Sequence, residues 1–221
     1  MEQMPDKFRY TTEESLFLAK KVLVGNIYNT AKIEGVNTTF PETETIIDGV
    51  NVPTASLDDI KVILNLRDAW RFVINNIDNE IDLEFIEKIN ENVSRNESLE
   101  WGKLRSGEIG ISGTNHKLKP PVRSEIIAGI ANIDKLGISA TDRSIKTMLF
   151  IMYNQLFWDG NKRTAIITAN AILIKAGAGV LTIEEKNLGE FNQSLSNYYN
   201  HGNGDELERF LYDKCIKGLA G

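Results

Sequence analysis

The sequence predicts a mainly α-helical protein made of a single domain with one short β-hairpin. Apolar residues recur at helical spacing along most of the 221 residues. One segment, at about 102–121, breaks this period and combines glycines and a Pro-Pro pair with two short extended runs, which is typical of a hairpin. The sequence shows no repeat, low-complexity tract or linker long enough to separate two domains.

The first helix is predicted to begin at Thr11, because Glu14 follows at the spacing of a capping box. It should run to about residue 32. The ten residues before it are polar and are predicted to fray. Residues 36–53 are interpreted as a loop that contains one short strand around Thr45–Ile47.

Later helices are placed by cap residues at their starts and by glycines or turns at their ends. Ser56 and Thr141 are the predicted N-caps of two of them, and Asp205 is the predicted cap of the last. The predicted helices run from Ser56 to about Ile77, from Asp82 to about Asn96, from Arg123 to Leu136, from Thr141 to the polar segment near 155, from Asn161 to Lys175, from Glu184 to Tyr199, and from Asp205 to about Gly218. Residues 180–183 are predicted to form a short extended piece between the helix that ends at Lys175 and the helix that begins at Glu184.

Composition excludes several classes of protein. The net charge of −6 and the pI of about 5.1 disfavour bulk binding to nucleic acid or to membranes. No apolar run reaches the roughly 18 residues of a membrane span. The single Cys215 cannot form an internal disulfide and fits a reducing cytoplasm, and with only two His residues it makes a transition-metal site unexpected.

A polar segment interrupts two apolar helices at Phe157–Ala165. Gly160 permits a turn with positive φ, so that Asn161 can begin the second helix with its free N–H groups directed at an anion. Lys162 and Arg163 add positive charge there, and Asp159 is placed to hold a divalent cation against a phosphate. The residues therefore predict a cradle for a polyphosphate with Mg²⁺, and the alternative is a solvated helix–loop–helix turn.

The same stretch resembles the signature of the Fic/Doc family, His-x-Phe-x-Asp/Glu-Gly-Asn-Gly/Lys-Arg, over residues 155–163. The resemblance implies a Fic-type helical domain that binds ATP and Mg²⁺ through Asp159, Gly160, Asn161, Lys162 and Arg163. The family's common reaction transfers AMP to a hydroxyl side chain of a target protein, which here would be a Ser, Thr or Tyr. Members of the family also use other nucleotide-type donors or transfer phosphate.

Two positions depart from the family pattern. The family's general base, a His, falls on Gln155, and an amide cannot accept the proton of the target hydroxyl. Loss of a general base costs about 10²–10⁴-fold in the chemical step. Many relatives have a second Arg where this chain has Ile166, although the Asn-Lys-Arg-Thr-Ala run resembles the Doc-like branch, which also lacks that Arg.

Two further segments resemble parts of the same family. Thr30-x-x-x-Glu34-Gly35 resembles the inhibitory motif whose Glu reaches the Fic loop; here Glu34 would approach Lys162 or Arg163, and the alternative is a helix end with a solvated Glu.

The hairpin resembles the family's flap, which pairs with an extended segment of the target, so Ile109, Gly110 and Ile111 are the expected target-binding residues. The alternative for this segment is a plain surface hairpin. His116 is interpreted as structural, with a role as replacement base as the alternative. Tyr198 and Tyr199 are candidates either for the adenine pocket or for the core.

These interpretations divide the chain into an N-terminal arm, 1–56, that carries the inhibitory-type helix at about 11–35, and a Fic core, 57–221. The first functional hypothesis is a cytoplasmic AMP-transferase weakened or silenced by Gln155. The alternative is a non-catalytic module that senses nucleotide or binds a protein, with a regulatory or toxin–antitoxin-like role. A homo-oligomer is compatible with both.

Overall fold

The structure, a computed structural model, describes residues 4–98, 100–114 and 116–219. Its helices are α1 Thr12–Lys21, α2 Leu23–Ile33, α3 Phe40–Ile47, α4 Leu57–Asn75, α5 Leu83–Val93, α6 Arg123–Asp134, α7 Ala140–Asn154, α8 Asn161–Ala176, α9 Leu188–His201 and α10 Asp205–Phe210. A 3₁₀ turn, Glu185–Asn187, precedes α9, and a π-helical turn, Leu211–Cys215, follows α10. The mainly α prediction is confirmed.

Two small antiparallel pairs complete the described part of the chain. Strands β1 Ile109–Gly110 and β2 Lys117–Leu118 form the predicted hairpin, with Ile109 opposite Leu118. Strands β3 Val180–Leu181 and β4 Ile216–Lys217 pair with Val180 opposite Lys217. The second pair was predicted only in part, because the extended piece at 180–183 was expected but the last helix was predicted to continue to about Gly218. The prediction of an α-helix is wrong beyond Phe210. A π-helical turn follows there, and residues 216–217 then pair with β3.

Helix α8 is the centre of the fold. Thirteen of its residues are buried, on every side of the helix, and α1, α4, α5 and α7 pack around it. Small residues such as Ala165 and Ala169 allow this close approach. Its buried Asn170 exchanges two hydrogen bonds with the backbone of Leu181, at 2.8 and 2.9 Å, and so ties β3 to the helix.

The N-terminal helix was predicted as one unit but is two. Val22, with φ −99° and ψ 7°, separates α1 from α2, so α1 can pack on α8 while α2 packs on α3 and α4. The sequence did not reveal this break because apolar residues continue across it. The cap at Thr11 is present, and its side chain and that of Glu14 form the predicted capping box.

Three local predictions were wrong. The strand expected at Thr45–Ile47 is part of α3, which begins with a capping box of Thr39 and Glu42. The N-caps predicted at Thr141 and Asp205 are instead Ser139 and Gly204.

The expected fraying does not extend to residues 4–10. Asp6 accepts hydrogen bonds from the backbone N–H (2.8 Å) and hydroxyl (2.9 Å) of Thr141, and the N–H of Tyr10 donates to the carbonyl of Gly177 at 2.8 Å. The part of the prediction that concerns residues 1–3 lies outside the described residues.

In the ranges 4–98, 100–114 and 116–219, no helix has the length and apolar character needed to cross a bilayer.

Candidate nucleotide site

The motif loop lies between the end of α7 and the start of α8. Gln155 ends α7 in the left-handed conformation (φ 44°, ψ 66°), and Gly160 (φ 71°) begins α8. A Cβ at Gly160 would lie 2.3 Å from the Oγ of Ser94 and 2.8 Å from the Cγ1 of Val93. The turn therefore requires glycine both for its backbone conformation and for its close contact with the end of α5.

The loop is held from two directions. The side-chain amide of Asn161 accepts from the N–H of Phe157 at 2.9 Å and donates to its carbonyl at 2.8 Å. From α5 and the residue after it, the Nδ2 of Asn90 and the Oγ of Ser94 both donate to the carbonyl of Asp159 at 3.0 Å. Asn161 was predicted as a nucleotide ligand, but its side chain braces the loop, so only its backbone N–H remains for a ligand.

A cavity of about 240 Å³ opens above this loop. It is lined by Glu34, Ile111, Gln155, Trp158, Asp159, Gly160, Asn161, Lys162, Asn192, Leu195 and Tyr199. No side chain caps the start of α8, so the N–H groups of its first turn and its positive dipole end are left for an anion. A larger groove of about 550 Å³ in the α4–α5 region has five carboxylates among its eleven lining residues and contains no motif residue.

Glu34 and Lys162 meet at this cavity. The Oε1 of Glu34 lies 3.3 Å from the Nζ of Lys162, which also donates to the carbonyl of Ile33 at 3.4 Å. Of the two partners foreseen for Glu34, the direct contact is thus with Lys162. Thr30, the first residue of the inhibitory-type motif, is buried within α2 and is absent from the cavity lining.

Arg163 does not line the cavity. Its side chain is 2% exposed, and its guanidinium forms a two-point ion pair with Glu97, at 3.0 and 2.7 Å. Burial disfavours the charge of Arg163, but the hydrogen bond to Glu97 and the negative charges of Glu34, Glu97 and Asp159 outweigh it, and the pKa of Arg163 is raised. No local pattern indicates this pair, because its members lie 66 positions apart.

Asp159 lines the cavity with a side chain that is only partly engaged. Its Oδ1 accepts from the N–H of Gly160 at 2.6 Å and lies 3.5 Å from a nitrogen of Arg163, while the side chain is 43% exposed. Over the described ranges, no group of three or more His, Cys, Asp or Glu side chains could enclose a metal ion. A single carboxylate fits Mg²⁺ rather than a transition metal, because Mg²⁺ is commonly held by one or two carboxylates together with substrate phosphates and water.

Gln155 lies at the motif position expected for a general base, but its amide cannot accept a proton. Its Nε2 donates to the carbonyl of Met152 at 2.6 Å and to the hydroxyl of Tyr199 at 3.1 Å. Tyr199 lines the cavity, and burial raises the pKa of its hydroxyl, so it remains protonated at neutral pH. Tyr198 is absent from the lining and packs on Tyr153, with ring centroids 4.8 Å apart.

The flap is fixed to the motif loop at its base. Arg105, which is buried, donates from Nε to the carbonyl of Gln155 at 2.6 Å and from a terminal nitrogen to that of Lys119 at 2.8 Å. The Nε2 of His116 hydrogen-bonds the carbonyl of Tyr153 at 2.8 Å, so the ring holds the flap against α7. Ile111 reaches the cavity, whereas Ile109 and Gly110 lie on β1.

The helical fold and the motif loop before α8 are the features that the protein shares with a known family. Residues 80–173 match the model of the Fic/DOC family. This match covers less than half of the chain, and within it residues 80–173 are similar to a Fic domain.

One protein with a similar sequence is Protein adenylyltransferase Fic of Nematostella vectensis. It is 26% identical over 204 residues, which cover 87% of this chain and 47% of the relative. Protein adenylyltransferase fic-1 of Caenorhabditis briggsae is 23% identical over 182 residues, 76% of this chain and 35% of the relative. The chain therefore spans less than half the length of these curated relatives.

Solved structures show the same fold. Fic-1 (residues 134–508) from C. elegans superposes with a TM-score of 0.74 at 20% identity, over 89% of this chain and 61% of the other. A Fic domain containing signaling protein from Bacteroides thetaiotaomicron gives 0.70 at 17% identity, over 92% and 86%. The structure of IbpAFic2 covalently tethered to Cdc42 gives 0.52 at 15% identity, over 94% and 71%.

Proposed function

We propose that this Fic-domain chain binds ATP with Mg²⁺ at the 155–163 loop and transfers AMP to a hydroxyl side chain of a target protein, with the chemical step weakened by Gln155. The proposal is supported by the names of its relatives, protein adenylyltransferases, and by the IbpAFic2 structure, in which a Fic domain is tethered to a protein. The observation that carries it is the cavity, which combines an uncapped helix start, one lysine and one half-exposed aspartate.

Each part of the cavity has a proposed role. The N–H groups of the first turn of α8 and the ammonium of Lys162 would bind phosphate oxygens. Asp159 would hold Mg²⁺ through its carboxylate, and the ion would supply charge neutralisation of the phosphates when bound. Ile109, Gly110 and Ile111 would pair with an extended segment of the target.

The reaction requires the target hydroxyl oxygen to bond to the α-phosphorus while pyrophosphate leaves and the hydroxyl proton departs. Gln155 cannot accept that proton, because its nitrogen carries no free lone pair and already donates to Met152 and Tyr199. The proton would pass to solvent, so the rate would rest on positioning and charge stabilisation alone.

We also propose that Glu34 restrains the site. Its carboxylate neutralises Lys162, the cation that lines the cavity, and would repel nucleotide phosphates by like charge. In this proposal residues 1–56 act as a regulatory arm on the core at 57–221.

The second candidate is a module that binds nucleotide or protein without catalysis. The loss of a base at position 155 favours it, because the loop and its cradle are retained while the proton acceptor is absent. This candidate keeps the same ATP site and differs in predicting no AMP transfer.

Labelled ATP separates the two. The chain and its Gln155→His variant would be incubated with ATP labelled at the α-phosphate, Mg²⁺ and candidate proteins, with Gln155→Ala as the matched control. Transfer by Gln155→His that exceeds the unaltered chain by about 10²–10⁴-fold supports a weakened transferase. Binding of ATP without transfer by either protein supports the silent module.

A further inference from the structure

Arg163 is buried and does not line the cavity. Its guanidinium contacts the end of α5 and Glu97 in the turn that follows α5. The terminal nitrogens contact the carbonyl of Val93 at 3.2 Å and both carboxylate oxygens of Glu97, at 3.0 and 2.7 Å. Two parallel contacts of this kind are the strongest arrangement of a guanidinium with a carboxylate. Both terminal nitrogens are therefore engaged before any ligand arrives, while the buried Nε has no hydrogen-bond partner among the described residues.

Glu97 is itself fixed in place. Its side chain is 11% exposed, and its Oε1 accepts from the Nδ2 of Asn65 on α4 at 2.8 Å. The same amide donates to the carbonyl of Arg95 at 2.9 Å, so Asn65 holds both the turn after α5 and the carboxylate within it. Glu97 thus faces Arg163 from a preformed position.

A second carboxylate, that of Asp159, lies within reach of the same guanidinium. Its Oδ1 is 3.5 Å from the Nη2 atom that contacts Glu97. In the described part of the chain, Oδ1 also accepts from the N–H of Gly160, while Oδ2 has no hydrogen-bond or ion-pair partner. Arg163 is therefore paired at two points with Glu97, and through one longer contact of 3.5 Å with Asp159, whose Oδ2 it does not engage.

We infer that Glu97 is a positioning residue that keeps Asp159 available to the cation by satisfying Arg163. A buried guanidinium is costly unless it is hydrogen-bonded, and a nearby carboxylate both bonds it and compensates its charge. Without Glu97 the nearest remaining partner is Asp159, whose carboxylate would turn from the cavity to Arg163. The inference rests on the proposed ATP–Mg²⁺ site and assigns Arg163 to this support rather than to direct contact with phosphate.

Calorimetric titration of ATP, once with Mg²⁺ and once with EDTA, tests this. Glu97→Gln removes the charge and keeps the shape of the side chain. We expect it to weaken ATP binding in Mg²⁺ by about tenfold or more, the usual effect of losing an outer-shell partner of a metal ligand. In EDTA its affinity should match that of the unaltered chain. Glu100→Gln, an exposed glutamate three residues on, is the matched control and should change neither titration.

The double variant Glu97→Gln/Arg163→Gln gives the sharper result. It lacks the guanidinium that competes for Asp159, so it should regain most of the Mg²⁺-dependent affinity that Glu97→Gln loses. A merely structural role for Glu97 would not be reversed by a second buried substitution. If Glu97→Gln does not fold, Asn65→Leu, which loosens Glu97 and keeps its charge, should give a smaller loss that is again confined to Mg²⁺.

Three outcomes overturn the inference. An equal loss in Mg²⁺ and in EDTA for Glu97→Gln or for Asn65→Leu would show a general effect on the pocket. A loss in EDTA for Arg163→Gln alone would make Arg163 a phosphate ligand. An unaltered chain that binds no ATP in either buffer would refute the proposed function itself, and the inference with it.

Discussion

Glu34 and Lys162 form an ion pair with 3.3 Å between Oε1 and Nζ at the mouth of the motif-loop cavity. The two residues are 128 positions apart in sequence, and the helix α2 carries Glu34 to the start of α8. The side chains are 21% and 32% exposed, so solvent moderates the pair without removing it. The lysine at the cavity is thereby neutralised by Glu34, which follows the last residue of α2.

Removal of Glu34 should therefore tighten nucleotide binding. We expect Glu34→Gln to bind ATP several-fold more tightly than the unaltered chain, because Lys162 is released and a like charge is removed. Calorimetric titration measures this directly. Glu44→Gln, on the exposed side of α3, is the control. Equal affinities for Glu34→Gln and the unaltered chain would exclude restraint by Glu34.

Lys162 should be the side chain that contributes most to phosphate binding. Lys162→Met should lose on the order of tenfold or more in ATP affinity, since a hydrogen bond to a charged group contributes about 1.5–3 kcal/mol. Raising the salt concentration should weaken binding in the unaltered chain more than in this variant. Lys20→Met, an exposed lysine on α1, should bind like the unaltered chain. Unchanged affinity for Lys162→Met would mean that the phosphates lie elsewhere.

Gly160 should be essential to the stability of the loop. An alanine there would place its Cβ 2.3 Å from Ser94 at a φ of 71°, so Gly160→Ala should lower the free energy of unfolding by about 1–3 kcal/mol. Urea unfolding followed by circular dichroism provides the value. Gly189→Ala is a matched control in α9, where a Cβ meets nothing within 4 Å, and it should be neutral or stabilising. Similar values for both variants would contradict the close packing of the loop on α5.

Cys215 should be unreactive while the chain is folded. The thiol is buried, and burial raises its pKa to about 12, so the thiolate is scarce at pH 8. Because the folded pKa lies above the unfolded one, the contribution of this thiol to stability is complete below pH about 8.5 and is lost as the pH rises towards 12. Labelling with a maleimide at pH 8 should be slow in buffer and fast in urea. Rapid labelling in buffer would show that the π-helical turn at 211–215 opens readily.

The features that could be predicted from the sequence are those that depend on neighbouring residues. Gly160 marked the turn, Thr11 with Glu14 marked a helix start, and the apolar period marked most helices. These signals are local because caps and turns are made by residues a few positions apart. The same kind of signal precedes α3, where Thr39 and Glu42 form a capping box at a segment predicted to be a loop with a short strand.

The features that the sequence did not reveal depend on distant residues. Arg163 was predicted at the cavity mouth because it follows Lys162, but the fold brings Glu97 to it and turns it inward. Asn90 and Ser94 support the loop from α5, and nothing in their own segment indicates that role. The break at Val22 is set by the different packing partners of α1 and α2.

The central claim is that the 155–163 loop binds ATP with Mg²⁺, and calorimetric titration of that nucleotide into the Glu34→Gln chain tests it most directly. We predict one binding site per chain, an affinity that falls when EDTA replaces Mg²⁺, and loss of that Mg²⁺ dependence when Asp159→Asn is added. The absence of binding heat in both buffers, from a variant shown to be folded, would contradict the claim.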